Sequence, residues 1–293
     1  MDFGRIPELE LKSTRLKLPP DPPGNQKHLK GKKVKNPKIY LGCAKWGRKE
    51  WIGKLYPTGT KEAKFLDEYV KHYNSIELNA THYKLFKDLE IKKWCEKAKG
   101  TDFKFCPKVY QGISHFGNLK NKEVLTDAFL NSVTNFGKHL GPIFLQVSDR
   151  FSPKRKEELF DYLKTLPTDL QFFVEVRHPE WFSEPNQKEL FSTFQKLKIG
   201  AVITDTAGRR DCCHMHLTTR SAFIRFVGNS LHKTDYKRID DWVQRANNWL
   251  DNGLQELYFF MHMHDEAFSP ELSEYLAKKL KKAGWDVAIP QLI

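Results

Sequence analysis

The sequence predicts an α/β protein, a (β/α)8 TIM barrel with a flexible basic N-terminal extension. Three observations carry that reading. The chain has 293 residues, about the length of one barrel of roughly 250 residues with a tail. Eight short β-like runs alternate with amphipathic helical windows, the pattern of parallel strands joined by right-handed crossovers. Most of those runs are apolar throughout rather than alternating, as strands covered on both faces must be.

The first 37 residues contain Pro19-Pro20, Pro22-Pro23-Gly24 and the run Lys30-Gly31-Lys32-Lys33. Few large apolar side chains are available there to offset the entropy of ordering. Residues 1–37 are therefore expected to be a mobile extension, and residues 38–293 one domain. The strands are expected at Ile39–Ala44, Ser75–Asn79, Phe103–Val109, Pro142–Val147, Gln171–Val176, Ala201–Thr204, Ala222–Val227 and Glu256–His262. Between them, Phe65/Leu66/Tyr69/Val70/Tyr73, Leu159/Phe160/Leu163/Leu166, Ile239/Trp242/Val243/Ala246/Trp249 and Leu272/Tyr275/Leu276/Leu280 keep the i, i+3/i+4 spacing of helices with one buried face. The interval from Asp205 to Ser221 is short and polar, so the sixth crossover is expected to be a loop.

Composition narrows the class of protein. Hydrophobic residues make up 40% and charged residues 29% of the chain, an ordinary composition for a soluble protein. No apolar run approaches the roughly 20 residues of a membrane span, and the N-terminus lacks the pattern of a signal peptide. The five cysteines, Cys43, Cys95, Cys106, Cys212 and Cys213, are odd in number and scattered. That argues for a reducing, cytoplasmic setting over a disulfide framework. Net charge is +13, and residues 1–37 supply five of the surplus, with nine Lys/Arg against four acids. Such a balance draws polyanions at long range, although it also serves solubility alone. The partners it suggests are an anionic small molecule or nucleic acid; nothing in the sequence fixes an oligomeric state.

In a barrel, the last residues of each strand and the loop that follows face the site. This rule gathers Trp46 after the first strand, Glu77, Asn79, His82 and Tyr83 from the second, and Lys108 from the third. Gln146 comes from the fourth, Glu175, Arg177 and Trp181 from the fifth, Asp205 from the sixth, Arg225 from the seventh and His262 from the eighth. Alternation places Glu77 with Asn79, and Glu175 with Arg177, on shared faces. Glu77, Glu175, His82 and Asp205 are the candidates for catalysis. Trp46, Asn79, Tyr83, Lys108, Gln146, Arg177, Trp181, Arg225 and His262 are the candidates for binding substrate. Lys108, Arg177 and Arg225 suit a phosphate or carboxylate, and Trp46, Tyr83 and Trp181 could stack on a base or sugar. The competing reading is a buried ion-pair network that only ties the barrel together.

No Gly-rich dinucleotide loop, P-loop or nucleophile elbow is present, so no cofactor is assigned. A divalent metal is a weaker alternative. His262 and His264 with Glu77, His82, Glu175 and Asp205 would supply ligands, but the positive residues in the same mouth count against it. The run Cys212-Cys213-His214-Met215-His216 fits no standard zinc spacing.

Several stretches occur in a recognisable order: Gly42-Cys43-Ala44-Lys45-Trp46, Trp51 to Leu55-Tyr56-Pro57, Ser75-Ile76-Glu77-Leu78-Asn79-Ala80-Thr81-His82-Tyr83, Phe103-Lys104-Phe105-Cys106-Pro107-Lys108, Leu140-Gly141-Pro142 with Gln146, and Val174-Glu175-Val176-Arg177-His178 with Trp181. With the later Asp205, Ile224-Arg225-Phe226-Val227-Gly228 and Tyr258-Phe259-Phe260, they resemble the YecE-like family, or domain of unknown function seventy-two, from about residue 38 to 285. The resemblance implies a TIM barrel and no established activity. The Phe260-Met261-His262-Met263-His264 strand end and the Arg209–His216 loop depart from the family pattern.

The leading functional expectation is an enzyme, of the phosphate-ester hydrolase kind, acting on a phosphate-containing and in one version nucleic-acid substrate. Glu77 or Glu175 would serve as acid or base, and His82 or His262 as a proton shuttle. The alternatives are a non-catalytic nucleic-acid or nucleotide-binding protein and a sugar-directed enzyme using Glu77 and Glu175 as a carboxylate pair.

Overall fold

A computed structural model describes residues 3–293; Met1 and Asp2, the latter one of the acids counted in the extension, lie outside the described residues. All eight expected strands form: β1 (Lys38–Cys43), β2 (Ser75–Leu78), β3 (Lys104–Pro107), β4 (Ile143–Gln146), β5 (Phe172–Glu175), β6 (Gly200–Asp205), β7 (Ser221–Gly228) and β8 (Glu256–Met263). Every ladder between them is parallel. The ladders do not close. One curled sheet runs in the order β1-β8-β7-β6-β5-β4, and β2 pairs with β3 as a separate two-stranded sheet. The expected closed eight-stranded TIM barrel is therefore overturned in favour of a six-stranded half-barrel beside a small sheet, still within the α/β class.

The reason lies in the residues at the two seams. Between β1 and β2, side chains take the backbone groups that a ladder would use. Leu41 N–H donates to Asn74 Oδ1 (2.8 Å) and Asn74 Nδ2 to the Ile39 carbonyl (2.8 Å). Cys43 N–H donates to Tyr69 Oη (2.7 Å), whose hydroxyl passes on to the Ser75 carbonyl (3.0 Å). The approach is close enough that a Cβ on Gly42 would lie 2.1 Å from the Ser75 carbonyl oxygen, so only glycine fits. Between β3 and β4 the contact is reduced to isolated bridges, Phe105 with Leu140 and Lys108 with Phe144.

The inner face of the curl is filled by Tyr40, Cys106, Phe144, Phe173, Val202, Phe223, Tyr258 and Phe260. Outside it lie α1 (Glu8–Leu11), α2 (Phe65–His72), α3 (Ala80–Tyr83), α4 (Asp88–Lys97), α5 (Gln111–Ser114), α6 (Glu123–Val133), α7 (Lys156–Lys164), α8 (Asn186–Leu197), α9 (Lys233–Asp251) and α10 (Ser269–Lys282). Helix α9 buries Ile239, Trp242, Val243, Ala246 and Trp249 along the face its spacing defines. Burying each such large side chain stabilises by about 1.5–3 kcal/mol. The β6–β7 crossover holds only a 3-10 turn, Arg210–Cys212.

The extension is packed where mobile chain was expected. Leu11 and Leu16 bury against Ala207, and Leu18 joins the main core. Asp21 accepts from Arg245 Nη1 (2.7 Å) and from the Trp249 indole (3.1 Å). Buried Asn25 accepts from Leu217 N–H (2.8 Å) and donates to the Met215 carbonyl (2.9 Å). Its few apolar residues are spaced to meet a complementary surface, which a composition count does not register.

Candidate functional site

The carboxyl ends of the strands carry a buried polar network that bridges both sheets. Arg225, on β7, is its centre. Its Nε and Nη2 donate to Glu77 of β2 (2.8 and 2.9 Å), and its Nη1 to Glu175 Oε2 of β5 (2.7 Å). Glu77 also accepts from His262 Nε2 (2.9 Å) and Asn79 Nδ2 (2.9 Å). Glu175 accepts from Arg177 Nε (2.9 Å), Thr204 Oγ1 (2.8 Å) and Gln146 Nε2 (2.6 Å). The Gln146 carbonyl oxygen in turn accepts from Lys108 Nζ (2.8 Å), just past β3. Glu77, Glu175 and Arg225 are almost wholly buried, and Lys108 and Arg177 are each 8% exposed. Each side chain arrives by strand alternation, one layer above the aromatic filling of the curl.

Within the buried network two carboxylates face three cations, and a third carboxylate, that of the exposed Asp149, lies 3.9 Å from Arg177 Nη1. The Arg177 Nη2 has no hydrogen-bond partner although it is buried. Among the described residues Lys108 Nζ donates to the neutral Gln146 amide alone, and an ammonium has three donors. Burial alone would raise the Glu77 pKa, but Arg225 and then His262 outweigh it and hold the carboxyl well below its usual range. Burial opposes Arg177 and Arg225 at Glu175 in the same way, and the cations win. Lys108 moves oppositely: burial first, then the Arg225 charge, push it down to about 8 against the pull of Glu175 and Glu77. Burial and the Lys108 charge push His82 down to about 4, so it is neutral at pH 7. Its Nδ1 faces the Val109 carbonyl (2.7 Å) and its ring meets that of His115 edge-on at 4.7 Å.

The remaining expected residues separate. Trp46, Asn79 and Tyr83 line an adjoining pocket of about 280 Å³, which shares Asn79 with the ionic network. Trp181 is not brought to either place. It is buried, donates its indole N–H to the Phe151 carbonyl (2.7 Å) and packs near Phe160. Asp205 is also elsewhere: it accepts from Arg238 Nη2 (2.8 Å), the Trp242 indole (2.7 Å) and Arg210. Alternation along β6 explains this, since Thr204 takes the lumen face and leaves Asp205 towards α9. Thr204 was missed by the sequence reading, although the same alternation identifies it. Phe3 was missed as well, and no local signal marks it. Its ring lies 3.9 Å from the Arg177 guanidinium, and Thr206 Oγ1 donates to the carbonyls of Phe3 (3.1 Å) and Gly4 (3.2 Å).

No group of three or more His, Cys, Asp or Glu among the described residues is arranged to hold a metal. In the Cys212–His216 run, the His214 ring bonds the Val202 carbonyl (3.0 Å) and His216 stacks on Phe191 at 3.9 Å. No helix among the described residues is long and apolar enough to cross a membrane.

Comparison with known proteins matches residues 40–292 to the family described as "Protein of unknown function DUF72". UPF0759 protein YecE of Escherichia coli K12 is 30% identical over 276 residues, covering 86% of this chain and 98% of the relative. UPF0759 protein YunF of Bacillus subtilis is 28% identical over 71% of this chain and 83% of its own length. The crystal structure of a DUF72 family protein from Enterococcus faecalis V583 superposes with a TM-score of 0.65 at 18% identity, over 85% of this chain and 99% of that one.

Proposed function

The chain belongs to the DUF72 family, and from the site it carries we propose that it is an enzyme acting on a phosphate-bearing substrate held by Lys108 and Arg177. The observation that carries this reading is a set of unspent donors: a buried Arg177 Nη2 without a partner, beside an ammonium with donors to spare. A buried donor left unpaired is costly, and a phosphate oxygen offers it a strong acceptor. Glu77 and Glu175 are held ionised, so they suit neutralising and positioning roles better than proton donation. Lys108, lowered to about 8, is the group poised to give or take a proton near neutrality. The Trp46–Tyr83 pocket suits the base or sugar of a nucleotide.

Saturation of both carboxylates also supports a second reading, binding of a nucleotide or nucleic acid without turnover. It disfavours the sugar-directed reading, which requires one carboxyl group to be protonated. Titration with inorganic phosphate and with a p-nitrophenyl phosphate ester tests these readings. Arg177→Ala and Lys108→Met should each weaken phosphate binding roughly ten- to a hundredfold. Unchanged affinity in both would remove the reading, and binding without ester turnover would leave the non-catalytic one.

A further inference from the structure

We infer that the cleft between the extension and the start of α9 is a second anion site, for a compact solute carrying two or more phosphate groups. The cleft has a volume of about 660 Å³ and is lined by Lys12 and Lys17 on one side and Lys233 and Lys237 on the other, with Arg238 and Asp241 between. That volume lies within the roughly 300–1,000 Å³ typical of small-molecule sites. None of the four lysines has a carboxylate within ion-pairing distance among the described residues, although Lys237 and Lys17 are near enough to oppose the burial that raises the Asp241 pKa.

The apolar contacts of Leu11 and Leu16 with Ala207 hold like charges face to face across the opening, an arrangement that a multivalent anion relieves. Arg238 also lines the cleft. It is 1% exposed, and its Nη groups are taken by Val227, Asp205 and Asp235, yet its buried Nε has no partner. The first turn of α9 adds the partial positive charge of a helix N-terminus, while Asp235 within it is occupied by Asn229 and Arg238. The near wall, residues 11–17, lies outside the stretch matched by the family, 40–292, so the site belongs to this chain's extension and is independent of Lys108 and Arg177.

Calorimetric titration of the full chain with inorganic tripolyphosphate tests the inference, using wild type, Lys108→Met, Lys17→Ala/Lys237→Ala, and the same pair in a Lys108→Met background. Both substituted lysines are exposed, so the pair is expected to fold, which circular dichroism verifies. Saturable binding that persists in Lys108→Met and falls by roughly tenfold per removed lysine is the expected result. Absent binding in wild type, or binding indifferent to the Lys17/Lys237 pair, would overturn the inference whatever happens at Lys108. Tighter binding of a single-stranded oligonucleotide, lost in the same pair, would overturn the compact ligand in favour of a strand. Failure of the Lys108–Arg177 reading would show separately, as phosphate affinity untouched by Lys108→Met alone.

Discussion

Replacing Arg225 with methionine should separate the architectural work of the network from ligand binding. Arg225 is 2% exposed and supplies all three guanidinium contacts between Glu77 on the small sheet and Glu175 on the large one. Its loss leaves Glu77 with His262 and Asn79, and Glu175 with Arg177, Thr204 and Gln146. Breaking a buried pair from one side costs about 3–5 kcal/mol. At about 2–4 °C per kcal/mol for a chain of this size, Tm should fall on the order of 10 °C. The pH dependence gives the sharper assay. In wild type both carboxyls lie below their ordinary 4.5, so their stabilisation is present above that value and is lost as pH falls towards the depressed folded pKa. In the variant, burial at Glu77 loses its main opponent, so the penalty is greatest above 4.5 and eases on acidification as Glu77 protonates. The gap between the two melting curves should therefore narrow from about pH 7 to pH 4. A Tm within about 2 °C of wild type, or a gap that stays constant with pH, would refute the ionic account. A second substitution, Glu77→Met, should recover part of the loss.

Three further outcomes follow from the same geometry. Phosphate affinity at Lys108 should decline as pH rises through about 8, where the ammonium is lost, and Lys108→Met should abolish that pH step; a step surviving in the variant would assign it to another group. Asp205→Asn should lower stability by about 3–5 kcal/mol, because Arg238 and Arg210 lose their buried counter-charge; urea unfolding reads this, and an equal loss of phosphate affinity in the folded variant would return Asp205 to the site. Phe3→Ala should free the face of Arg177 and strengthen phosphate binding by a few-fold or more, since a cation–π contact is worth about 0.5–2 kcal/mol, the higher end when desolvated; weaker binding would make Phe3 a part of the ligand site rather than its cover.

Element by element, the sequence carries more of the fold than of its closure. The apolar runs at Gln171–Val176 and Ala222–Val227 read as doubly covered strands, and both form, as Phe172–Glu175 and Ser221–Gly228. Whether neighbouring strands hydrogen-bond depends on what competes for their backbone groups, and a periodicity does not encode that Asn74 and Tyr69 occupy Leu41 and Cys43. The ionic floor was legible, because i, i+2 spacing fixes the shared face of Glu175 and Arg177. Arg177 and Arg225 looked equivalent; only side-chain geometry shows Arg225 spent on two carboxylates and Arg177 with a donor left over. Trp181 was misplaced because an aromatic after a strand packs inward as readily as it lines a mouth. Phe3 reaches Arg177 across most of the chain, a contact that no local pattern announces.

The seams around β2 and β3 bear on how the molecule opens. Backbone ladders join the six other strands into one cooperative body, whereas β2 and β3 are fastened to it mainly through side chains, by Asn74, Tyr69, the Glu77 contacts with Arg225 and His262 and the Lys108–Gln146 bond, with two isolated backbone bridges. Free energies of local opening follow such boundaries, and a unit with fewer fastenings swings away below the cost of global unfolding. That unit carries Glu77 and Lys108. Its excursions would take apart the ionic network while the large sheet stays intact, so amides of Ser75–Leu78 and Lys104–Pro107 should exchange with solvent together, ahead of those in β7 and β8, and, on the proposed function, slow down when phosphate is added.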